Sequence, residues 1–142
     1  MQRLAGDTDG AKITAEEARN ALEQLYRDQS EAAFIVEGLS QAYAAMGEKE
    51  SALREAQHAI MLGPRAKDPV SGPSWEENLA VIQTMFGENS HVVPTLTQLL
   101  QTPYPGGIYG TPLTPALLRL DPLWDPLRSD PVFQKLCEDK QP

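Results

Sequence analysis

The chain has 142 residues, with 20 acidic against 12 basic side chains and a net charge of −8. Phosphate contacts need clustered Lys and Arg, so this balance argues against nucleic acid or an anionic membrane as the main partner and suits a neutral or basic protein or peptide. Cys137 is the only cysteine, which excludes an intrachain disulfide and points to a reducing, cytoplasmic setting. No apolar run approaches the roughly 20 residues of a membrane span, and the polar opening residues lack the apolar core of a signal peptide. Residues 1–13 contain Gly6, Asp7, Asp9 and Gly10, which are turn formers and predict an irregular lead-in. Thr14 and Glu17 have the spacing of a capping box, so a helix is expected over residues 14–29, ending near Asp28. Its inner face is expected to be Ala18, Leu22 and Leu25.

Residues 33–66 read as one complete helix–turn–helix unit. Val36, Leu39 and Tyr43 recur at helical spacing, Gly47 offers a turn, and Ala52, Ala56, Ala59 and Ile60 form the inner face of a second helix. Small residues there allow two antiparallel helices to approach closely, and Pro64 discourages continuation. Ala18, Leu22 and Leu25 lie 34 positions before Ala52, Ala56 and Ala59, and Ser30 lies 34 before Pro64. The helix from Thr14 therefore matches the second helix of a similar unit whose first helix is missing.

The period breaks at residues 63–73, which hold three prolines and two glycines. Gly47 and Gly87 are 40 apart, so the next unit, residues 73–101, carries about six extra residues in this linker. Ser74 is a possible cap, followed by an apolar face of Trp75, Leu79, Ile82 and Phe86. The helix after Gly87 should bury Val92, Leu96, Leu99 and Leu100, with Pro94 forcing a start near Ser90 or later. Residues 102–115 contain four prolines and three glycines, which no regular element survives. Two readings stay open for this stretch: a connector across the end of the helices, or a binding loop presenting Tyr104 and Tyr109. The tail then repeats Asp-Pro at 121–122, 125–126 and 130–131. Each pair suits a helix start, predicting short helices over 115–120, 122–127 and 131–139. Their apolar side is expected from Leu117, Leu120, Leu123, Trp124, Leu127, Phe133 and Leu136.

The order Leu39, Tyr43, Gly47, Ala52, Ala56, Ala59, Pro64 resembles the signature of the tetratricopeptide repeat. The run from Leu118 to Pro131 is similar to the closing segment of tetratricopeptide arrays at the C-termini of bacterial multidomain signalling proteins, which also carry kinase, winged-helix or cyclase domains. The resemblance covers the chain from about Thr14 onwards. It implies an all-α, α-solenoid fragment of a longer array: a partial repeat at 14–29, a complete repeat at 33–66, a degenerate repeat at 73–101, and a proline-rich cap at 102–142. The second repeat departs from the pattern: Ala80 replaces a favoured Gly, Gln83 replaces Tyr, and Val92 replaces a small residue.

The resemblance also implies a non-catalytic scaffold or protein-interaction module that needs no cofactor. In such arrays the first helix of each repeat lines a concave groove. Helical phase would place Glu37, Gln41, Ala44 and Ala45 there from one repeat, and Glu77, Asn78, Val81 and Met85 from the next. Family members that grip a terminal carboxylate use Lys, Asn and Arg, whereas here Glu37 and Gln41 occupy two of those places and only Asn78 matches. A carboxylate would meet a like charge, so any ligand is expected to be neutral or basic; the same residues read equally as plain solvated surface. Self-association, through Trp124 or the open face of the first helix, is the alternative within the interaction class.

Signals for chemistry are weak throughout. His58 and His91 are the only histidines and show no metal-ligand spacing. Gly106-Gly107 follows no strand and opens no phosphate-binding helix. The adjacent acids Glu16-Glu17 and Glu76-Glu77 are expected on solvated faces, and Glu50 and Arg54 are expected to pair on the surface. Neither a catalytic set nor a metal site is expected, and an enzyme or metal-binding protein is the remote alternative.

Overall fold

All regular structure in the computed structural model, which describes residues 8–138, is helical. The chain divides into two units, one ending at Gly63 and the other beginning at Pro64.

The first unit is built from α1 (Thr8–Asp28), α2 (Ala33–Met46) and α3 (Lys49–Leu62). Helix α1 starts earlier than its capping-box spacing predicts, so Thr14 lies inside it and caps nothing. Ala11, Lys12 and Ile13 are tolerable helix formers, and Asp9 in the first turn complements the helix dipole. The part of the expected lead-in before Thr8 lies outside the described residues. The side of α1 facing the rest of the unit is rotated from the expected one. Ala15 is buried and Leu22 and Tyr26 are half-buried, whereas Ala18 and Leu25 are exposed.

Helices α2 and α3 form the hairpin that residues 33–66 predict. Gly47 adopts φ +80°, a left-handed conformation that is cheap for glycine alone. Its amide bonds to Ala44 O, and the next amide, Glu48, bonds back to Tyr43 O at 2.9 Å. The small residues Ala52, Ala56 and Ala59 are fully buried, so α3 lies close against α2 with no side chain holding them apart. Arg54 pairs with Glu55 at 3.1 Å and not with Glu50, because its guanidinium folds along the neighbouring residue.

The second unit opens with a turn stabilised by Asp68, whose Oδ1 accepts from the amides of Val70 and Ser71. Those bonds hold the Asp68 carboxyl below its usual range. Helix α4 (Gly72–Met85) begins two residues before Ser74, with Pro73 in its first turn. Gly87, at φ +77°, closes α4 as Gly47 closes α2: its amide bonds to Thr84 O, and Glu88 N bonds to Gln83 O at 2.8 Å. A 3-10 turn (Asn89–His91) leads into α5 (Val92–Leu100). Pro94 therefore falls in the first turn of α5, where the N–H it lacks would have no helical partner. The late start is how the sequence accommodates that proline.

The tail contains α6 (Pro115–Leu120), a 3-10 segment (Pro122–Leu127) and α7 (Pro131–Leu136). Asp121 accepts from Leu123 N at 2.8 Å, and Asp130 accepts from Val132 N at 2.7 Å and from Phe133 N. Asp125 is no cap; it lies inside the 3-10 segment and pairs with Arg128 at 2.6 Å. Trp124 and Phe133 are fully buried in a core shared with Ala80, Val92, Leu96 and Leu99 of α4 and α5. In α6 the buried residue is Leu118, while Leu120 is 72% exposed. A six-residue helix buries one narrow stripe, and its phase is set by the packing partner.

Candidate functional site

Each expected site residue can now be placed within its own unit. On α2, Ala44 is buried, Glu37 and Ala45 are half-buried, and Gln41 is exposed. On α4, Met85 is exposed, but Glu77, Asn78 and Val81 are all buried. Four of the eight expected groove residues therefore present no surface to a ligand. Glu77 is the clearest correction, since it was expected to project from the helix as a solvated acid.

Glu77 instead fastens the 102–115 loop to α4. Its Oε2 accepts from the Tyr104 hydroxyl at 2.6 Å and from the Gly107 amide at 3.1 Å. Its Oε1 is buried and has no hydrogen-bond partner. Burial raises the Glu77 carboxyl above the usual carboxylate range, opposed by the bonds from Tyr104 and the loop amides. Tyr104 in turn accepts from the Leu113 amide at 3.1 Å, so one hydroxyl ties both ends of the loop. Ser74 of α4 donates to Gly106 O at 2.9 Å. Gly106 sits at φ +105°, and an added Cβ there would meet the Thr111 backbone at 2.3 Å. The loop's glycines and prolines thus specify one folded path.

Tyr109 is likewise an internal fastener. Its hydroxyl donates to Asp121 Oδ2 at 2.5 Å and accepts from Trp124 Nε1 at 3.1 Å. Burial and the Asp121 bond push its ionisation upward. Tyr104 is buried, which removes its ring from the expected binding loop, and Tyr109 is half-buried with its hydroxyl spent on bonds within the unit. Trp124 is also fully buried, so it is no contact for a second copy. Sequence spacing gave no warning of these bonds, because Glu77 and Tyr104 are 27 residues apart and Tyr109 and Asp121 are 12 apart.

His58 is half-buried, edge-on to Tyr26 and 3.5 Å from Glu55, while His91 is exposed. Tyr43 donates to Glu23 at 2.8 Å, and its ionisation is pushed up to about 12, first by burial and then by that bond. Burial pushes the Cys137 thiol up, the opposite of what a nucleophilic thiolate needs. An open recess of about 590 Å³ lies between α5 and the start of α7. Its carboxylate, Asp130, is occupied in capping α7. Among the described residues, no three His, Cys, Asp or Glu side chains group as they would around a metal ion, and no helix is long and apolar enough to cross a membrane.

What the first unit does display is apolar surface. Leu25 on α1 is 48% exposed and Phe34 on α2 is 64% exposed. The two helices meet closely beside them: an added Cβ at Gly38 would come within 3.2 Å of Leu22 Cδ1. Sequence reasoning assigned Leu25 to the interior and passed over Phe34, because helical phase names a face without saying what covers it.

No protein-family model matches the chain, and no curated protein or solved structure matches it.

Proposed function

We propose that this chain is a non-catalytic, tetratricopeptide-like scaffold that binds a neutral or basic protein or peptide, as the C-terminal part of a larger bacterial signalling protein. The observation that carries the reading is the pair of matching helix ends. Gly47 and Gly87 close α2 and α4 with the same left-handed turn and the same two backbone bonds. These closures use the two glycines, 40 residues apart, that a pair of helix–turn–helix repeats with a longer linker would need as turns. The buried alanines at the following helix contact fit the same scheme. A scaffold reading also accounts for where the chemistry-bearing side chains are spent. Tyr104 is held by Glu77, and Tyr109 by Asp121.

The test is direct. The immobilised chain is exposed to an array of helical peptides of graded charge and, separately, to panels of hydrolase and transferase substrates. Retention of neutral or basic peptides, with the basic ones released by salt, is the expected result. Turnover of any substrate that scales with protein and survives repurification would overturn the reading.

A further inference from the structure

The exposed apolar surface of the first unit has a covered counterpart in the same chain. Ala52, Ala56 and Ala59 of α3 are fully buried where α3 packs on α2. The residues 34 positions earlier on α1 are Ala18, Leu22 and Leu25. There Ala18 is exposed, Leu25 is 48% exposed, and Leu22 is only half-buried, beside Gly38. Thr14, Ala18, Ala21 and Leu25 recur at intervals of four, three and four, so they form one strip along α1. All four are exposed. Two positions of this strip, Ala18 and Leu25, therefore have counterparts, Ala52 and Ala59, that are covered by a helix, whereas Ala21 corresponds to the half-buried Glu55.

The strip does not end at the edge of α1. Leu22 and Gly38 mark where it borders α2. In an antiparallel pair, three residues forward on α1 and four back on α2 lead the same way along the hairpin. Leu25 and Phe34 accordingly lie side by side at one end of that contact, and together they make an apolar patch on two helices. Its edges are acidic: Glu17, Asp28 and Glu31 are exposed around it, and Glu37 lies on the adjoining face of α2. No Lys or Arg falls on the strip side of α1, since Lys12, Arg19 and Arg27 all lie on other faces by phase.

We infer that the α1 strip of Ala18, Ala21 and Leu25, with Phe34 of α2, is a docking face for an amphipathic helix of a partner protein whose apolar stripe is edged by basic residues. This rests on the scaffold reading and gives it a surface and a ligand chemistry. The shape argument comes from Ala18 and Leu25, because a helix seals their counterparts Ala52 and Ala59 34 residues further on. The acidic edges supply the charge argument. Small residues at the centre let the incoming helix approach closely, and Leu25 and Phe34 anchor its end.

The probe is a stapled peptide with the sequence of residues 33–46 carrying Glu37→Lys and Gln41→Lys, compared with the same peptide lacking both changes. The full chain, labelled with ¹⁵N, is titrated with each. The lysine-bearing peptide should bind more tightly, lose affinity in salt, and shift amides of residues 13–28 and 34–41. Leu25→Glu and Phe34→Glu should each weaken it about tenfold or more. Met61→Glu, at an exposed position on α3, should leave it unchanged. Circular dichroism checks that each variant keeps its helix content. Shifts confined to residues beyond Gly63 would overturn this face while leaving the scaffold reading in place. Absence of binding by both peptides would overturn the inference, and the peptide array would still judge the scaffold reading on its own. Light scattering that shows a dimer dissociated by Leu25→Glu would assign the face to a second copy of the chain and overturn the inferred partner.

Discussion

Glu77 shows how one residue's environment can reverse its expected role. Its sequence neighbours, Trp75 and Glu76, suggest an ordinary helix surface, yet it is fully buried with two donors on one oxygen and none on the other. A buried carboxylate with an unpartnered oxygen favours the protonated form. Its ionisation in the folded chain is raised above its unfolded value, so its contribution to stability is fully present below the unfolded value and is lost as pH rises through the folded one. The groups facing it are the Tyr104 hydroxyl and the amides of Gly107 and Ile108. Glu77→Gln keeps an oxygen for Tyr104 and Gly107 and removes the charge. Thermal melts taken from pH 4 upward (about the unfolded value of a Glu) should show the wild type losing stability relative to this variant. Parallel curves across the whole range would mean that Glu77 does not titrate in the folded chain. The Glu77 assignment was not legible in the sequence, because its cover arrives from residues about 30 positions away on a stretch with no regular structure. Local signals such as Gly47, Gly87 and the Asp121 and Asp130 caps were legible, since their partners sit within a few residues.

At the scale of elements, two different devices hold the helices. In the first unit it is close approach: α3 presents Ala52, Ala56 and Ala59, all with no exposed surface. Ala52→Leu adds three carbons where no space exists, and should destabilise the chain by about 1–3 kcal/mol. An unchanged melt would mean that α2 and α3 separate easily at that point. In the tail the device is capping. Helix α7 has six residues, too few to persist alone, and Asp130 satisfies two of its free amides. Asp130→Ala should cost about 0.5–2 kcal/mol, read as a lowered denaturant midpoint with an unchanged slope. These elements were mostly readable from spacing, but the faces they bury were less so. Leu118 replaces Leu117 and Leu120 as the buried residue of α6, and Ala15 and Tyr26 replace Ala18 and Leu25 on α1. An apolar repeat at helical spacing fixes a stripe about 100° wide, and the partner decides which edge of it is covered.

At the scale of the molecule, the second unit depends on its tail. Helices α4 and α5 bring Ala80, Val81, Val92, Leu96 and Leu99 to one side, and Trp124, Leu127 and Phe133 close over them. The tail that supplies these rings consists of helical pieces of six residues each, too short to persist without this core to pack on. An aromatic ring of this size buries about 150–250 Å², and Trp124→Ala should cost about 3–5 kcal/mol. The Trp124 indole also donates to Tyr109, which holds Asp121, so its loss frees the 102–115 loop as well as the core. Deleting residues 121–142 goes further, since it removes Trp124, Leu127 and Phe133 together and uncovers the apolar side of α5. The expected product is a chain that aggregates, or whose second unit is molten by near-ultraviolet circular dichroism and amide exchange. A truncated chain that stays monomeric, with protected amides throughout α4 and α5 and an unchanged melting temperature, would show that these rings add little to the core. The tail would then be a detachable segment, free to dock on another protein.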